Sequence, residues 1–372
     1  MYPVLLRIGG GIAIHSYGLC LAVGFGLATW WAVGRARRAE ASPAVVLNIA
    51  ILAVVFGVGG ARLLYVVHYW EHFAARQNLL RAVLDVRQGG LEFLGGFVCT
   101  VVVVLIYLLI PRRQSSKHGR RVGLPVRLYL DILSPSVMVG LTFARLGCFL
   151  NGCCFGGACA LTENGAPKYS WAVRFPFGSP VFVHQWEERE VTVPAELLEE
   201  SESRLPGRPI SRVALSQPDG EIARRALAGQ LRLPSRSAPI RKTSVAELQS
   251  LAAAVTTRPT HPVQLYAAFC AILLAGVLAY VYRVRRRHGM VFIALLLLYS
   301  PVRFVLERIR TDNPLDTAGL TVSQFTSSAL FVVGVGLLFI FYRYLPEESP
   351  NLVSVSSSHA AGRTARPKRA GR

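Results

Sequence analysis

Seven stretches of this chain stay apolar for close to the length a bilayer demands, and no other feature constrains the fold as tightly. They run near Tyr17–Val33, Val45–Val67, Leu91–Ile110, Leu128–Leu150, Pro262–Tyr282, Met290–Leu306 and Leu320–Tyr342. About 20 apolar residues cross a hydrocarbon layer of ~30 Å. A backbone facing lipid must satisfy its own polar groups, so each run is expected to be a helix. The expected fold class is therefore all-α: a polytopic membrane protein of about seven transmembrane helices. Composition agrees, since 52% of the residues are hydrophobic while the formal charge reaches +20. Apolar spans joined by basic loops give that combination, which points to anionic membrane lipid before nucleic acid. There is no nucleic-acid motif, and no nucleic-acid partner is expected. The N-terminus has neither a basic leader region nor a small-residue cleavage site, so Ser16 to Ala36 reads as a first span and not a signal peptide.

The loops set the expected orientation. Arg35, Arg37 and Arg38 follow the first span, five bases between Arg112 and Arg121 follow the third, and Arg283, Arg285, Arg286 and Arg287 follow the fifth. The C-terminal tail is basic as well. The positive-inside rule assigns all four segments to the cytoplasm and the N-terminus to the outside of a bacterial inner membrane. Four regions result: spans one to four over 1–157, an extracytoplasmic insertion over 158–260, spans five to seven over 261–345, and a basic cytoplasmic tail over 346–372, expected to be disordered. Within the insertion, Tyr169 to Trp186 alternates aromatics, Pro and Val and reads as short strands or a lid. Glu187 to Ser250 lacks a sustained apolar face and reads as flexible or loosely helical.

Polar residues fall at one end of every span. On this orientation His15, Ser16 and Tyr17 are outermost in span one, and Arg62 and Tyr65 in span two. The glycine pairs Gly89, Gly90 and Gly95, Gly96 open span three. Arg145, Asn151 and Gly156 close span four, His261, Gln264 and Tyr266 open span five, and Arg303 and Glu307 close span six. Intramembrane charge is expensive and is normally paired, solvated or used. Snorkelling at random would favour neither end, so a polar cavity open to one side is the economical reading. Arg62 and Arg145 cannot deprotonate, and guanidinium forks match phosphate oxygens. Glu307 lies four residues from Arg303 on one helical face and is expected to neutralise it as a structural ion pair. The glycines admit two readings, close backbone approach to a ligand or close helix packing.

The seven cysteines include Cys148, Cys153, Cys154 and Cys159 near the end of span four. None of their spacings is a CxxC pair, so no metal and no cofactor is expected. A redox pair of Cys153 or Cys154 with Cys159, a thiol oxidoreductase built on the vicinal Cys153 and Cys154, and simple helix packing remain open readings.

Taken in order, these residues resemble a known family. His15, Ser16, Tyr17 and Gly18; Gly60 through Val66; the glycine pairs; Asp131; Arg145, Gly147, Phe149, Asn151, Gly152 and Gly156; His261, Pro262, Gln264, Leu265 and Tyr266; and Arg303, Glu307, Arg310 and Asp312 are together similar to bacterial prolipoprotein diacylglyceryl transferases. The resemblance implies an enzyme that moves diacylglycerol from phosphatidylglycerol to the lipobox cysteine in a prolipoprotein signal peptide, releasing glycerol phosphate. It implies Arg145, Tyr17 and Asn151 as catalytic. Arg145, Gly95, Gly96, Gly156, His261 and Arg62 are expected to bind substrate, with Arg62 also read as part of the cavity's ionic scaffold beside Arg303 and Glu307, and with Arg258 standing in for the Arg absent at Thr260. The chain departs from the family pattern at Leu94, where a His is usual, at Cys148 and Cys153 within the signature, at Thr260, where Arg often precedes the His, and at Ala267, where Glu is usual. The alternative is a diverged paralogue that binds phospholipid or lipoprotein without turnover.

Overall fold

The computed structural model describes residues 4–8, 12–74, 78–85, 90–110, 112–113, 121–122, 125–198, 209–210, 244–312 and 319–344. In chain order the elements are β1 (Val4–Ile8), β2 (Ile12–His15), α1 (Ser16–Arg38), α2 (Pro43–His68), α3 (Trp70–Ala74), α4 (Leu79–Leu84) and α5 (Phe93–Leu109). They continue with β3 (Arg112–Arg113), β4 (Arg121–Val122), α6 (Val126–Asn151), α7 (Pro180–Glu187), a 3-10 turn (Ala195–Leu197), α8 (Val245–Ala254), α9 (Val263–Val284), α10 (Met290–Ile309) and α11 (Val322–Tyr344). Among the described residues α1, α2, α6, α9, α10 and α11 are long and apolar enough to cross a membrane. The third expected span forms the shorter apolar helix α5, whose 17 residues rise about 25 Å at 1.5 Å per residue. The protein is a polytopic helical membrane protein.

Two short hairpins, β1 with β2 and β3 with β4, depart from the all-helical expectation. In the first, Gly9, Gly10 and Gly11 separate two short apolar runs, a hairpin signature too brief to stand out beside the spans. Its pairing runs from Val4 opposite His15 to Ile8 opposite Ile12, so it delivers the chain directly into α1.

The helix starts follow their capping chemistry. Pro43 and Pro180 occupy first-turn positions, where the missing N–H removes no helix bond. The Ser179 hydroxyl accepts from Phe182 N at 3.3 Å to start α7, and the Ser244 hydroxyl accepts from Glu247 N at 3.1 Å to start α8. At α11 the box is reciprocal: Thr321 N donates to Gln324 Oε1 at 3.1 Å while Gln324 N donates to the Thr321 hydroxyl at 3.2 Å.

The chain forms two compact units from discontinuous segments. The first takes Met1–Phe25, Met138–Gly276 and Leu296–Leu337, and the second takes Gly26–Val137, Val277–Leu295 and Leu338–Arg372. The first unit contains the described parts of the insertion, which include a short helix and a 3-10 turn. Leu197, Ile210 and Leu248 are fully buried against Phe177 and Phe182, so scattered apolar residues with no obvious period close a small core. The Tyr169 to Trp186 stretch contributes the bridges Val173 to Thr260 and Pro176 to Thr256, then turns into α7. Residues 199–208 and 211–243 of the insertion, the tail after 346 and Gly89 lie outside the described residues.

The second unit is cemented by small residues and by closed polar contacts. A Cβ on Gly95 or Gly96 of α5 would stand 2.5 Å from the carbonyl oxygen of Gly60 or Gly57 on α2, so the two backbones touch. The Asp131 carboxylate is fully buried and accepts from Gly289 N, Val291 N and Phe292 N at 2.8, 2.9 and 3.1 Å, capping α10 from another helix. Arg35 and Arg285, expected as solvated loop charges, are buried instead. Their guanidiniums lie 4.1 Å from the Trp31 ring centroid and 3.6 Å from that of Tyr282.

Candidate active site

The α6 C-terminus organises the first unit. After Asn151 the chain turns sharply through Gly152 (φ 77°) and Cys154 (φ 59°). The second is a left-handed conformation that a side chain adopts only when its surroundings impose it. Those surroundings are visible. Gly152 N and Cys153 N both donate to Cys148 O, at 2.9 and 3.1 Å, and the fully buried Gln264 of α9 donates from Nε2 to Cys153 O at 2.8 Å. Beyond the turn, Gly156 N donates to His261 O and His261 N to Gly157 O, each at 3.1 Å, while Gly157 N reaches Ile309 O at 3.0 Å. The segment after α6 is thereby stitched to the starts and ends of two other helices. A Cβ on Gly156 would stand 2.6 Å from Val263 Cγ2 and 2.8 Å from His261 Cβ, so only glycine fits.

Around this turn the cations divide by partner. Glu307 on α10 is buried and accepts from Arg303 at 2.7 Å, from Arg310 at 3.4 Å and from the Thr321 hydroxyl at 3.3 Å. Arg303 also donates to the Ser323 hydroxyl at 2.9 Å. Arg310 forms a two-pronged pair with Asp312, both contacts at 2.9 Å, and the fork holds its guanidinium above its ordinary value against the effect of burial. Arg145 differs. Among the described residues no hydrogen bond or ion pair engages its side chain. It lines a narrow cleft between α6, α9 and α10, with Arg303 and Tyr299 beside it and Leu141, Ala271 and Leu274 further along. Its wall combines two guanidiniums with hydrocarbon.

Tyr17 at the start of α1 lies over Gly147, whose added Cβ would meet Tyr17 Cδ2 and Cys20 Cβ at 3.1 Å. It is in electrostatic range of Arg145 and of Cys148, Cys153 and Cys154. Asn151 lies beside Cys153. The sulfurs of Cys148, Cys153 and Cys154 all lie within 4.8 Å of one another, whereas Cys159 is buried outside this group. The Arg310 and Arg145 guanidiniums lie within electrostatic range of Cys154. The His261 ring lies tilted against Tyr169, with centroids 5.4 Å apart, and its Nδ1 lies 3.4 Å from the Tyr266 hydroxyl. The Arg258 backbone N donates to Gln185 Oε1 at 2.8 Å.

Arg145, Tyr17, Asn151, Gly156, His261, Arg258, Arg303 and Glu307 all belong to the first unit, with Tyr17 and Arg303 in electrostatic range of Arg145 and Gly156 bonded to His261. The remaining expected binding residues belong to the second unit, where structure accounts for them otherwise. Arg62 donates to the carbonyls of Val83, Ala82, Asp85 and Gly90 at 2.8, 2.8, 2.8 and 2.9 Å. All three of its guanidinium nitrogens are thereby committed to holding α4 and its flanks, and they are not a phosphate fork. Gly95 and Gly96 are explained by the α2–α5 contact, the packing alternative. Ala267 lines the cleft and supplies no acid–base group there. Tyr299 and Cys270 were missed by the sequence reading. Tyr299 precedes Arg303 by four residues and Cys270 follows Ala267 by three, so helical spacing from known site residues would have found both.

Comparisons with known proteins bear on this arrangement. A family model described as prolipoprotein diacylglyceryl transferase matches residues 3–340. A Rhodopirellula baltica protein named phosphatidylglycerol--prolipoprotein diacylglyceryl transferase is 38% identical over 181 residues, 47% of this chain and 32% of that protein, so the match spans about a third of that relative. A Bdellovibrio bacteriovorus protein of the same name is 28% identical over 353 residues, covering 92% of this chain and 93% of its own. A Clostridium botulinum protein of that name, from strain 657, is 25% identical over 344 residues, covering 92% and 98%. With a family match running through the hairpin, the α6 turn and the cleft-lining helices, the chain belongs to the prolipoprotein diacylglyceryl transferase family.

Proposed function

We propose that this protein transfers the diacylglyceryl group of phosphatidylglycerol to the lipobox cysteine of a prolipoprotein signal peptide in the bacterial inner membrane. On this reading the N-terminus and the insertion face outward and the C-terminus faces the cytoplasm, as the distribution of basic loops indicates. The observation that carries the proposal is Arg145, a guanidinium with no bonded partner among the described residues, lining a narrow cleft whose other walls are mostly hydrocarbon. A phospholipid combines the same two chemistries, an anionic phosphate and apolar tails.

The reaction forms one bond and breaks one. The peptide thiolate attacks the glyceryl carbon that bears the phosphate, a carbon–sulfur bond forms, and the carbon–oxygen bond to phosphate breaks. Glycerol phosphate departs with the electron pair, and the thiol proton ends on that leaving group or on water. Arg145 is the phosphate clamp and stabilises the charge that grows on the leaving oxygen. Arg303 and Arg310, balanced by Glu307 and Asp312, support the field without acting as free ligands. Tyr17 and Asn151 are placed to position the head group or the peptide, with Gly156, His261 and Arg258 forming the adjoining wall. Leu94 and Ala267 carry no proton, so activation of the thiol falls to the cationic surroundings, which favour its thiolate.

Purified protein given phosphatidylglycerol and a lipobox peptide is expected to yield a diacylglyceryl-peptide detectable by mass spectrometry. The gene is expected to restore growth to a transferase-depleted bacterium. Lipid binding with no product at any pH and no rescue would overturn the proposal in favour of a non-catalytic paralogue.

A further inference from the structure

The cysteine group at the α6 turn has a shape that the transfer reaction leaves unused. The three sulfurs converge to within 4.8 Å of one another, although in sequence the spacing is four intervening residues and then a vicinal pair. The convergence is imposed. Cys154 holds a left-handed backbone that a side chain ordinarily avoids, and buried Gln264 pins Cys153 O from another helix. Packing alone would need neither a strained residue nor three thiols turned toward one point. We propose that Cys148, Cys153 and Cys154 form a three-sulfur binding site for a soft monovalent metal ion, with Cu(I) as the ion that fits.

The donor set selects the metal. Thiolates are soft ligands and favour Cu(I) among the first-row ions. A structural zinc closes its shell with four ligands, commonly adding His or a fourth Cys. No His, Asp or Glu joins the cluster among the described residues. A sulfur–metal distance of ~2.3 Å places three ligands in a plane about 4 Å apart, so sulfurs now within 4.8 Å of one another need only a small inward turn of their side chains. Three thiolates on one monovalent ion leave an anionic centre, and the Arg310 and Arg145 guanidiniums act electrostatically on Cys154 at this spot. Cys148 is buried while Cys153 and Cys154 are partly exposed, so the site is closed on one side and open on the other.

The test uses the purified full chain, reduced and handled anaerobically in detergent, with Cu(I) supplied in competition with a chromophoric Cu(I) chelator. One equivalent is expected to be retained, and copper-edge X-ray absorption is expected to show three sulfur neighbours. Cys153→Ser and Cys154→Ser, both at partly exposed positions, are each expected to weaken retention at least tenfold, while Cys99→Ser on α5 retains the full equivalent. A reduced protein that yields all its copper to the chelator would overturn the site. Copper held equally well by the Cys153→Ser/Cys154→Ser double variant, or copper with only two sulfur neighbours, would do so as well. Because the readout is metal retention and coordination, its failure is distinguishable from a failure of the transferase reading.

Discussion

Arg62 in the second unit and Arg145 in the first are alike in sequence, each a single guanidinium near the polar end of an apolar helix. The structure separates them by what surrounds them. Arg62 is ringed by four backbone carbonyls, while Arg145 stands over a cleft with no bonded partner among the described residues. A charge whose hydrogen bonds are met by its own fold is architecture. A charge held in an apolar setting with its donors unused is stabilised only when something else brings the oxygen atoms. The comparison therefore predicts opposite phenotypes. Arg145→Ala is expected to lower diacylglyceryl transfer by about 10²- to 10³-fold, the scale of removing a donor aimed at developing charge, with the melting temperature in detergent nearly unchanged. Arg145→Lys is expected to recover little, because an ammonium lacks the planar fork. An Arg145→Ala protein that unfolded as readily as an Arg62 variant would break the distinction.

Carboxylates sharpen the same contrast. Asp131 in the second unit takes its hydrogen bonds from three backbone N–H groups, with Arg285 as an ion-pair partner at 3.5 Å, whereas Glu307 in the first is satisfied by side chains alone, two of them cationic. Backbone partners cannot swing away; side chains can. Glu307→Gln leaves Arg303 and Arg310 facing each other without their shared counter-charge. Breaking a buried pair from one side destabilises by about 3 kcal/mol. The expected result is a large fall in melting temperature, followed by activity in proportion to the folded fraction. Arg303→Met combined with Glu307→Gln, which removes one cation together with the carboxylate charge, is expected to recover part of the loss.

Arg62→Ala is the third variant in order of size. It strands several carbonyls around α4, and unmet buried acceptors destabilise by about 2 kcal/mol in total when solvent reaches some of them. Transfer per folded molecule is expected to stay at the wild-type level, measured as activity normalised to monodisperse protein. A specific loss of lipid affinity in Arg62→Ala would return Arg62 to the binding residues and erase the contrast with Arg145.

The legible part of the fold was the part governed by bilayer length. Apolar runs of the right size became helices wherever their own composition decided the outcome, as in α2 and α9. Short elements escaped because tertiary contacts decide them. Leu197, Ile210 and Leu248 form a core although they are far apart in sequence and share no period. At the candidate site, the i,i+4 spacing of Arg303 and Glu307 announced their pair. By contrast, the sequence grouped Cys148, Cys153, Cys154 and Cys159 at the end of span four without separating Cys159 from the three whose sulfurs converge, because a left-handed turn after a helix end has no periodic signature. Arg62 admitted both a scaffold and a binding reading for a related reason: carbonyl partners are invisible in a sequence, and only side-chain partners can be read from it.

Thr321 tests the contrast at its smallest scale. Its hydroxyl does two jobs in the first unit, accepting from Gln324 N to start α11 and donating to Glu307 Oε1 at 3.3 Å. Thr321→Val keeps the shape and removes both bonds. Loss of a helix cap destabilises by about 1 kcal/mol. Glu307 retains its two cationic partners, so the ion cluster is expected to hold. The melting temperature should therefore fall slightly, transfer per folded molecule should not change, and Thr321→Ser, which keeps the hydroxyl, should match the wild type. A fall in transfer with no fall in stability would mean that the Glu307 cluster needs its neutral partner to hold the cationic part of the cleft wall in place. Arg303 and Arg310 would then belong with Arg145 as part of the phosphate site, and not with Arg62 as part of the frame.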